Sequence, residues 1–211
     1  MEFHKIDLGA WERAQTYRHF RDETPCAYSI CVNLNIGGLL PRLRASGVRL
    51  FPAVLYGLAR GVNRHTEFRM ALNERGEPGY YGISHPCYTV FHQNTQGFTD
   101  VWTEYHDSFS LFYQRYLEDR RQYAPLSKES KPLAGNNIFN VSCIPWVSFT
   151  GFHLNLKNGY DYLAPIFTIG KYFEEGGTVK LPVSLQIHHA VCDGYHAARF
   201  LNELQDWMDE F

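Results

Sequence analysis

Between positions 26 and 36 the chain alternates. Tyr28, Ile30, Val32, Leu34 and Ile36 fall on one face, with Asn33 and Asn35 on the other. A period of two over this length predicts a half-buried strand. The period then changes: Phe51, Val54, Leu55, Leu58 and Val62 recur at helical spacing, and Pro52 sits where a first turn tolerates it, so an amphipathic helix is expected there. Strand-like segments follow at 68–72, 87–92 and 98–105, punctuated by Gly76, Gly79 and Pro86. Phe109, Phe112, Tyr113 and Tyr116 return to helical spacing, and 124–137 reads as a loop. Short strands are expected near 138–143, 152–156, 165–172 and 178–189. A closing helix over about 194–208 should turn Ala198, Leu201 and Leu204 inward. Strands and helices interleave without regular alternation, and no repeat or linker interrupts them. The expected fold is α+β, a mixed β-sheet with helices packed on it, in one domain over 1–211.

Composition narrows the function classes. With 45% hydrophobic and 20% charged residues the chain can bury a core. A net charge of −2 points away from nucleic acid and anionic membrane surfaces. No apolar run approaches the ~20 residues of a membrane span, and the start, Met1-Glu2-Phe3-His4-Lys5, carries no apolar signal core. Five scattered cysteines without a Cys-x-x-Cys pair argue against a disulfide framework or zinc ribbon. A reduced, soluble, cytoplasmic protein is expected. Two features remain: 16% aromatic residues, and ten histidines.

The densest chemistry is His188-His189-Ala190-Val191-Cys192-Asp193-Gly194-Tyr195-His196, which follows the alternating Val183-Ser184-Leu185-Gln186-Ile187. Strand parity puts His189 on the face of Val183, Leu185 and Ile187, and His188 with Ser184 and Gln186. His189 is either a hydrogen-bonded core histidine or a site imidazole. Asp193 stands where a helix begins, either as a plain N-cap or as a site carboxylate. A zinc site on His189, Cys192 and His196 would need the helix to start early, which Gly194 opposes, and it lacks a fourth ligand. Ser142, in Phe139-Asn140-Val141-Ser142, has no Gly-x-Ser-x-Gly setting. It suits an oxyanion donor better than a nucleophile, and could equally be an ordinary strand hydroxyl.

The run His188-His189-Ala190-Val191-Cys192-Asp193-Gly194 resembles the signature of the type A chloramphenicol acetyltransferase family. The wider superfamily of CoA-dependent acyltransferases shares its His-x-x-x-Asp-Gly core. Blocks in the same order support the resemblance along nearly the whole chain: Pro25-Cys26, Phe51-Pro52, Arg69-Met70-Ala71, Thr89-Val90-Phe91-His92-Gln93, Pro145-Trp146, Ala164-Pro165-Ile166 and Lys171-Tyr172.

The resemblance implies acetyl transfer from acetyl-CoA to the C3 hydroxyl of chloramphenicol, or to another hydroxylated acceptor on the same fold. It implies a homotrimer with active sites at subunit interfaces, a ternary-complex mechanism, no permanently bound cofactor and no metal. His189 then corresponds to the general base, its second ring nitrogen held by the residue's own carbonyl. Ser142 matches the oxyanion donor, and Thr168 a support acting through water. Arg13 matches the partner of Asp193 in a buried ion pair. Phe20, Cys26, Tyr28, Thr89, Phe98, Phe152 and Leu154 match the acceptor pocket, and Trp146, Tyr172 and Lys171 the coenzyme channel. The resemblance also makes the aromatic excess partly the wall of a substrate tunnel.

Overall fold

The computed structural model describes residues 2–126, 129–156 and 161–211. In chain order its first elements are β1 (Phe3–Lys5), α1 (Ala14–Arg18) with a π-helical turn at His19–Glu23, β2 (Ala27–Asn35), α2 (Leu39–Ser46) and α3 (Leu50–Arg64). Then come β3 (Met70–Leu72), β4 (Pro78–Tyr81), β5 (His85–His92), β6 (Gly97–Trp102) and α4 (Phe109–Tyr123). The last are β7 (Ile138–Ile144), β8 (Ile166–Gly170), β9 (Phe173–Glu175), β10 (Thr178–His188) and α5 (Gly194–Glu210).

A seven-stranded sheet runs β2-β10-β8-β7-β5-β6, with β9 paired to β10; a three-stranded sheet, β1-β4-β3, stands apart. β7 runs parallel to both β5 and β8, and the remaining pairs are antiparallel. The large sheet is therefore mixed, as expected.

Parity gives this sheet two chemically different faces. On one, Leu185, Phe167, Val141 and Tyr88 stand in register and are fully buried under the helices. On the other, Cys31, Ser184, Thr168 and Ser142 stand side by side on β2, β10, β8 and β7. A row of small polar side chains beside a row of fully buried apolar ones is what fixes the register. A slip of one residue would exchange the rows.

α3 forms where helical spacing places it and buries Val54, Leu55, Leu58 and Val62 as expected, but its burial extends beyond one face, to every residue from Pro52 to Ala59. Its whole circumference is packed over two turns, and only the C-terminal part meets solvent. Gly57 and Gly61 make this possible: a Cβ at Gly57 would lie 2.3 Å from Trp207, and one at Gly61 2.6 Å from Phe200. Those two α5 aromatics press directly on the α3 backbone. Tyr56 packs against Phe109, Phe112 and Trp207, and Phe51 against Tyr88 and Tyr116. Much of the aromatic excess thus builds the core between α3, α4 and α5 rather than a tunnel wall.

Other expectations need correction. The segment 152–156 is not a strand. It crosses the polar sheet face, where no ladder is available, and its backbone groups are met by side chains. The stretch 68–72 is a 3₁₀ turn, Thr66–Arg69, followed only by the short β3. β6 stops at Trp102, three residues early, and α4 continues to Tyr123. α5 buries Ala197, Leu201 and Leu204, while Ala198 is exposed. The sequence reading missed β1, α1, α2, β4 and β9. α2 buries only Leu39 and Leu43 and carries Pro41 in its first turn, too little periodicity to register. All five cysteines are free. Among the described residues no helix is long and apolar enough to cross a membrane.

Candidate active site

β10 delivers His189 one residue beyond its last strand position, where the chain turns before α5. The His189 N–H still donates to the Cys26 carbonyl at 3.0 Å, so the turn stays fastened to the chain entering β2. The imidazole lies flat on Phe20, with centroids 3.9 Å apart and planes 10° apart, and Tyr28 meets it edge-on at 5.2 Å. Two rings on adjoining sides fix the plane of the third.

Arg13, at the start of α1, holds the turn from behind. Its Nη2 donates to the His189 carbonyl at 3.0 Å and its Nε to the Ala190 carbonyl at 3.0 Å. Its Nη1 donates to Asp193 Oδ2 at 2.7 Å. The ion pair expected from the resemblance is present but not buried, since the Asp193 side chain is 37% exposed. Asp193 caps α5, and His196 Nδ1 lies 2.6 Å from its other oxygen. Partial burial alone would raise the Asp193 carboxyl. The hydrogen bond from Arg13 and the nearby charges of His196 and Arg13 outweigh it and hold the group below its ordinary value.

One expectation fails at the ring itself. His189 Nδ1 is buried and takes no hydrogen bond among the described residues. The carbonyl assigned to it accepts from Arg13 Nη2 instead. Stacking on Phe20 rather than a carbonyl contact sets the ring here.

His188 is nearly fully buried on the opposite face, and its Nδ1 accepts from the Ala190 N–H at 3.1 Å. Burial first, then the neighbouring Arg21 and His189, push its pKa below the usual histidine value. The neutral ring with Nδ1 as acceptor carries its proton on Nε2. His188 therefore stabilises the turn and offers no base.

The remaining site residues lie on the polar sheet face. Ser142 and Thr168 are register partners on β7 and β8, and Thr89 is on the same face of β5, half-buried. Phe152 and Leu154 cross this face on the segment after β7. Phe98 on β6 is 66% exposed. Trp146, also exposed, meets Phe91 edge-on at 4.8 Å, and Tyr172 and Lys171 are exposed beyond β8. A cleft of about 300 Å³ at the end of the sheet is lined by Cys26, Leu154, Tyr162, Gln186 and His188, among others. Cys26 thus borders both groups, and burial raises its thiol pKa.

The structure thus divides the expected set. Phe20, Cys26 and Tyr28 gather with His189, Arg13 and Asp193. Thr89, Phe98, Ser142 and Thr168 share the polar sheet face, which Phe152 and Leu154 cross. No hydrogen bond joins His189 to Ser142. The zinc alternative dissolves: Cys192 is buried beneath Tyr28, and His196 is turned to Asp193. Among the described residues no three His, Cys, Asp or Glu side chains converge.

Residues 1–205 match the family model described as chloramphenicol acetyltransferase. The chain is 48% identical over its whole length to a chloramphenicol acetyltransferase of Campylobacter coli, covering all of that protein. It is 41% identical over 98% of its length to one of Escherichia coli, covering 94% of it. The chain belongs to the chloramphenicol acetyltransferase family.

Its fold is that of the family too. A solved chloramphenicol acetyltransferase superposes with a TM-score of 0.89 over 98% of this chain and 100% of the other, at 23% identity. A probable dihydrolipoamide acetyltransferase from Listeria monocytogenes matches at 0.65 over 97% of this chain and 93% of the other, at 12% identity. As in other members of the chloramphenicol acetyltransferase family, the enzyme class is acyl transfer. Sequence reasoning weighed His196 only as a metal ligand, although its three-residue spacing from the cap Asp193 marks a capping-box position. It also passed over Gln186 and Ser184, whose polarity in a buried strand was the available signal.

Proposed function

We propose that this chain transfers acetyl from acetyl-CoA to the C3 hydroxyl of chloramphenicol, as one domain acting in the cytoplasm. The observation that carries the reading is the His189 turn: an imidazole lying flat on Phe20 and met edge-on by Tyr28, with Arg13 gripping its carbonyl and the next. An alcohol is too weak an acid to attack a thioester unaided at neutral pH. A neutral imidazole fixed in place removes its proton as the C–O bond forms, an effect of roughly 10²–10⁴-fold. Attack places a negative charge on the former thioester oxygen. Ser142 donates to that oxyanion, with Thr168 beside it supporting a bridging water. Collapse breaks the C–S bond, and the CoA thiolate recovers the proton from His189. No acyl-enzyme intervenes.

His189 and Ser142 on different faces of one chain support a site completed by a second copy, and with it a homotrimer. One subunit supplies the base with Phe20, Cys26 and Tyr28. Its neighbour supplies Ser142, Thr168 and the walls Thr89, Phe98, Phe152 and Leu154. Trp146, Tyr172 and Lys171, exposed on a lone chain, would border the coenzyme. Acetyl-CoA enters as a co-substrate, and no permanent cofactor or metal takes part.

Thiol release from acetyl-CoA, followed with and without chloramphenicol, tests the activity. Chloramphenicol-dependent release that disappears in His189→Ala is the expected result. Release that is independent of chloramphenicol, or that survives in His189→Ala, would overturn it.

A further inference from the structure

The segment 151–156 lies on the polar sheet face without a backbone hydrogen-bond partner among the described residues. The Gln186 carboxamide takes the place of a neighbouring strand. Its Oε1 accepts from the Leu154 N–H at 2.7 Å, and its Nε2 donates to the Leu154 carbonyl at 2.8 Å. Two residues along the same face, Ser184 Oγ donates to the Phe152 carbonyl at 3.0 Å. Ser29 Oγ meets His153 Nδ1 at 2.8 Å from the adjoining strand. Both anchors are rooted in the middle of the sheet: Ser184 is 1% exposed and Gln186 6%, and each is paired on both sides by β2 and β8. Leu154, by contrast, remains 37% exposed at the cleft it shares with Gln186.

We infer that Gln186, with Ser184 beside it, is a positioning residue that sets the depth and register of the acceptor wall formed by Phe152 and Leu154. This rests on the proposed acetyl transfer to chloramphenicol for the identity of the acceptor, but the clamp itself does not. A primary amide is the side chain suited to the task, because it alone offers one donor and one acceptor at peptide spacing without charge. A glutamate would keep the bond from the Leu154 N–H and turn an acceptor against the Leu154 carbonyl. A leucine would keep the volume and lose both bonds.

Hydrogen exchange at the Leu154 amide, read beside steady-state kinetics, tests this in Gln186→Leu, Gln186→Glu and Ser184→Ala. Removing the clamp should speed Leu154 exchange by at least about tenfold, the equivalent of one net hydrogen bond. The KM for chloramphenicol should rise by about tenfold in Gln186→Leu, while kcat and the KM for acetyl-CoA change far less. Ser184→Ala should show the same split in smaller measure, and it stands in if Gln186→Leu does not fold. Unchanged Leu154 exchange refutes the clamp. Faster exchange with an unaltered acceptor KM, or an equal loss in kcat, refutes the positioning role. Wild-type protein inactive on chloramphenicol refutes the acceptor assignment instead, and the exchange measurement still decides the clamp.

Discussion

Replacing Arg13 should cost more than replacing its partner Asp193, although an ion pair would ordinarily make the two equivalent. Arg13 makes three hydrogen bonds: one to the Asp193 carboxylate, one to the His189 carbonyl and one to the Ala190 carbonyl. Arg13→Met deletes all three and leaves two carbonyls of the His189 turn without that partner. Asp193→Asn deletes one charge and keeps both carbonyl contacts. A hydrogen bond to a charged group contributes roughly 1.5–3 kcal/mol when buried. The Asp193 side chain is 37% exposed and the Arg13 side chain 18%, so solvent screening takes each contribution below that range, to about 1 kcal/mol. Arg13→Met should then lose about 2–4 kcal/mol of stability and Asp193→Asn about 1, well short of the roughly 3–5 of a fully buried pair.

The catalytic consequence follows from position rather than charge. A displacement of about 1 Å in a group that must meet the substrate costs on the order of 10² in rate. Freed from Arg13, the turn keeps the His189–Cys26 backbone bond, its bonds to His188 and the stack on Phe20 but loses the grip on both carbonyls. Arg13→Met should therefore lower kcat about a hundredfold and Asp193→Asn about tenfold, with both KM values far less affected. Urea unfolding and steady-state kinetics on the two variants and the double variant would show it. If Asp193→Asn proved as damaging as Arg13→Met, charge neutralisation would matter more than the carbonyl grip, and the reasoning would fail.

Further outcomes are equally direct. Ser142→Ala should lower kcat by roughly 10²–10³ with little change in urea midpoint, as expected of a lost oxyanion donor; a loss of stability of the same size would reassign it as structural. Co-expressing His189→Ala with Ser142→Ala, each strongly impaired alone, should restore full activity at about a quarter of the sites in a randomly assembled ring; mixtures as impaired as the parents would place both residues in one subunit's site. Gly61→Ala pushes a Cβ to 2.6 Å from the Phe200 ring and should cost about 1–3 kcal/mol by overpacking, read as a lower urea midpoint. The His188 pKa is lowered on folding from its ordinary 6.5. Below pH 6.5 the unfolded chain binds a proton that the folded chain refuses, so this contribution is complete above 6.5 and is lost as pH falls toward the folded value. His188→Asn should flatten the fall in stability as pH drops below about 6.5; an unchanged slope would place the titrating group elsewhere.

The legible part of the fold was the part set by one local period. β2, the closing helix and the strand into His189 follow from alternation or helical spacing within a single window. The missed elements are short, and some are held by distant partners. β1 and β4 are each four residues or fewer, and β1 exists because it pairs with β4 more than 70 positions away. Likewise 152–156 carries strand-like alternation, Phe152 and Leu154 included, but its backbone partner is the Gln186 side chain 32 residues away. No local pattern encodes that partner.

The site shows the same limit in a sharper form. Parity correctly separated His189 from His188 and placed Ser142 on a strand, yet each half of the proposed chemistry makes sense only through residues remote in sequence. Arg13 is the clearest case. Within its own neighbourhood it is an unremarkable arginine at the start of a short helix, and its three contacts lie 176 to 180 residues away. What the sequence did carry was the turn those contacts hold. Spacing from His189 to Asp193 and Gly194 fixes where β10 must end and α5 begin, and that junction presents two adjacent carbonyls to one guanidinium. The motif is best understood as the geometry of that junction, which sets the imidazole against Phe20 and Tyr28.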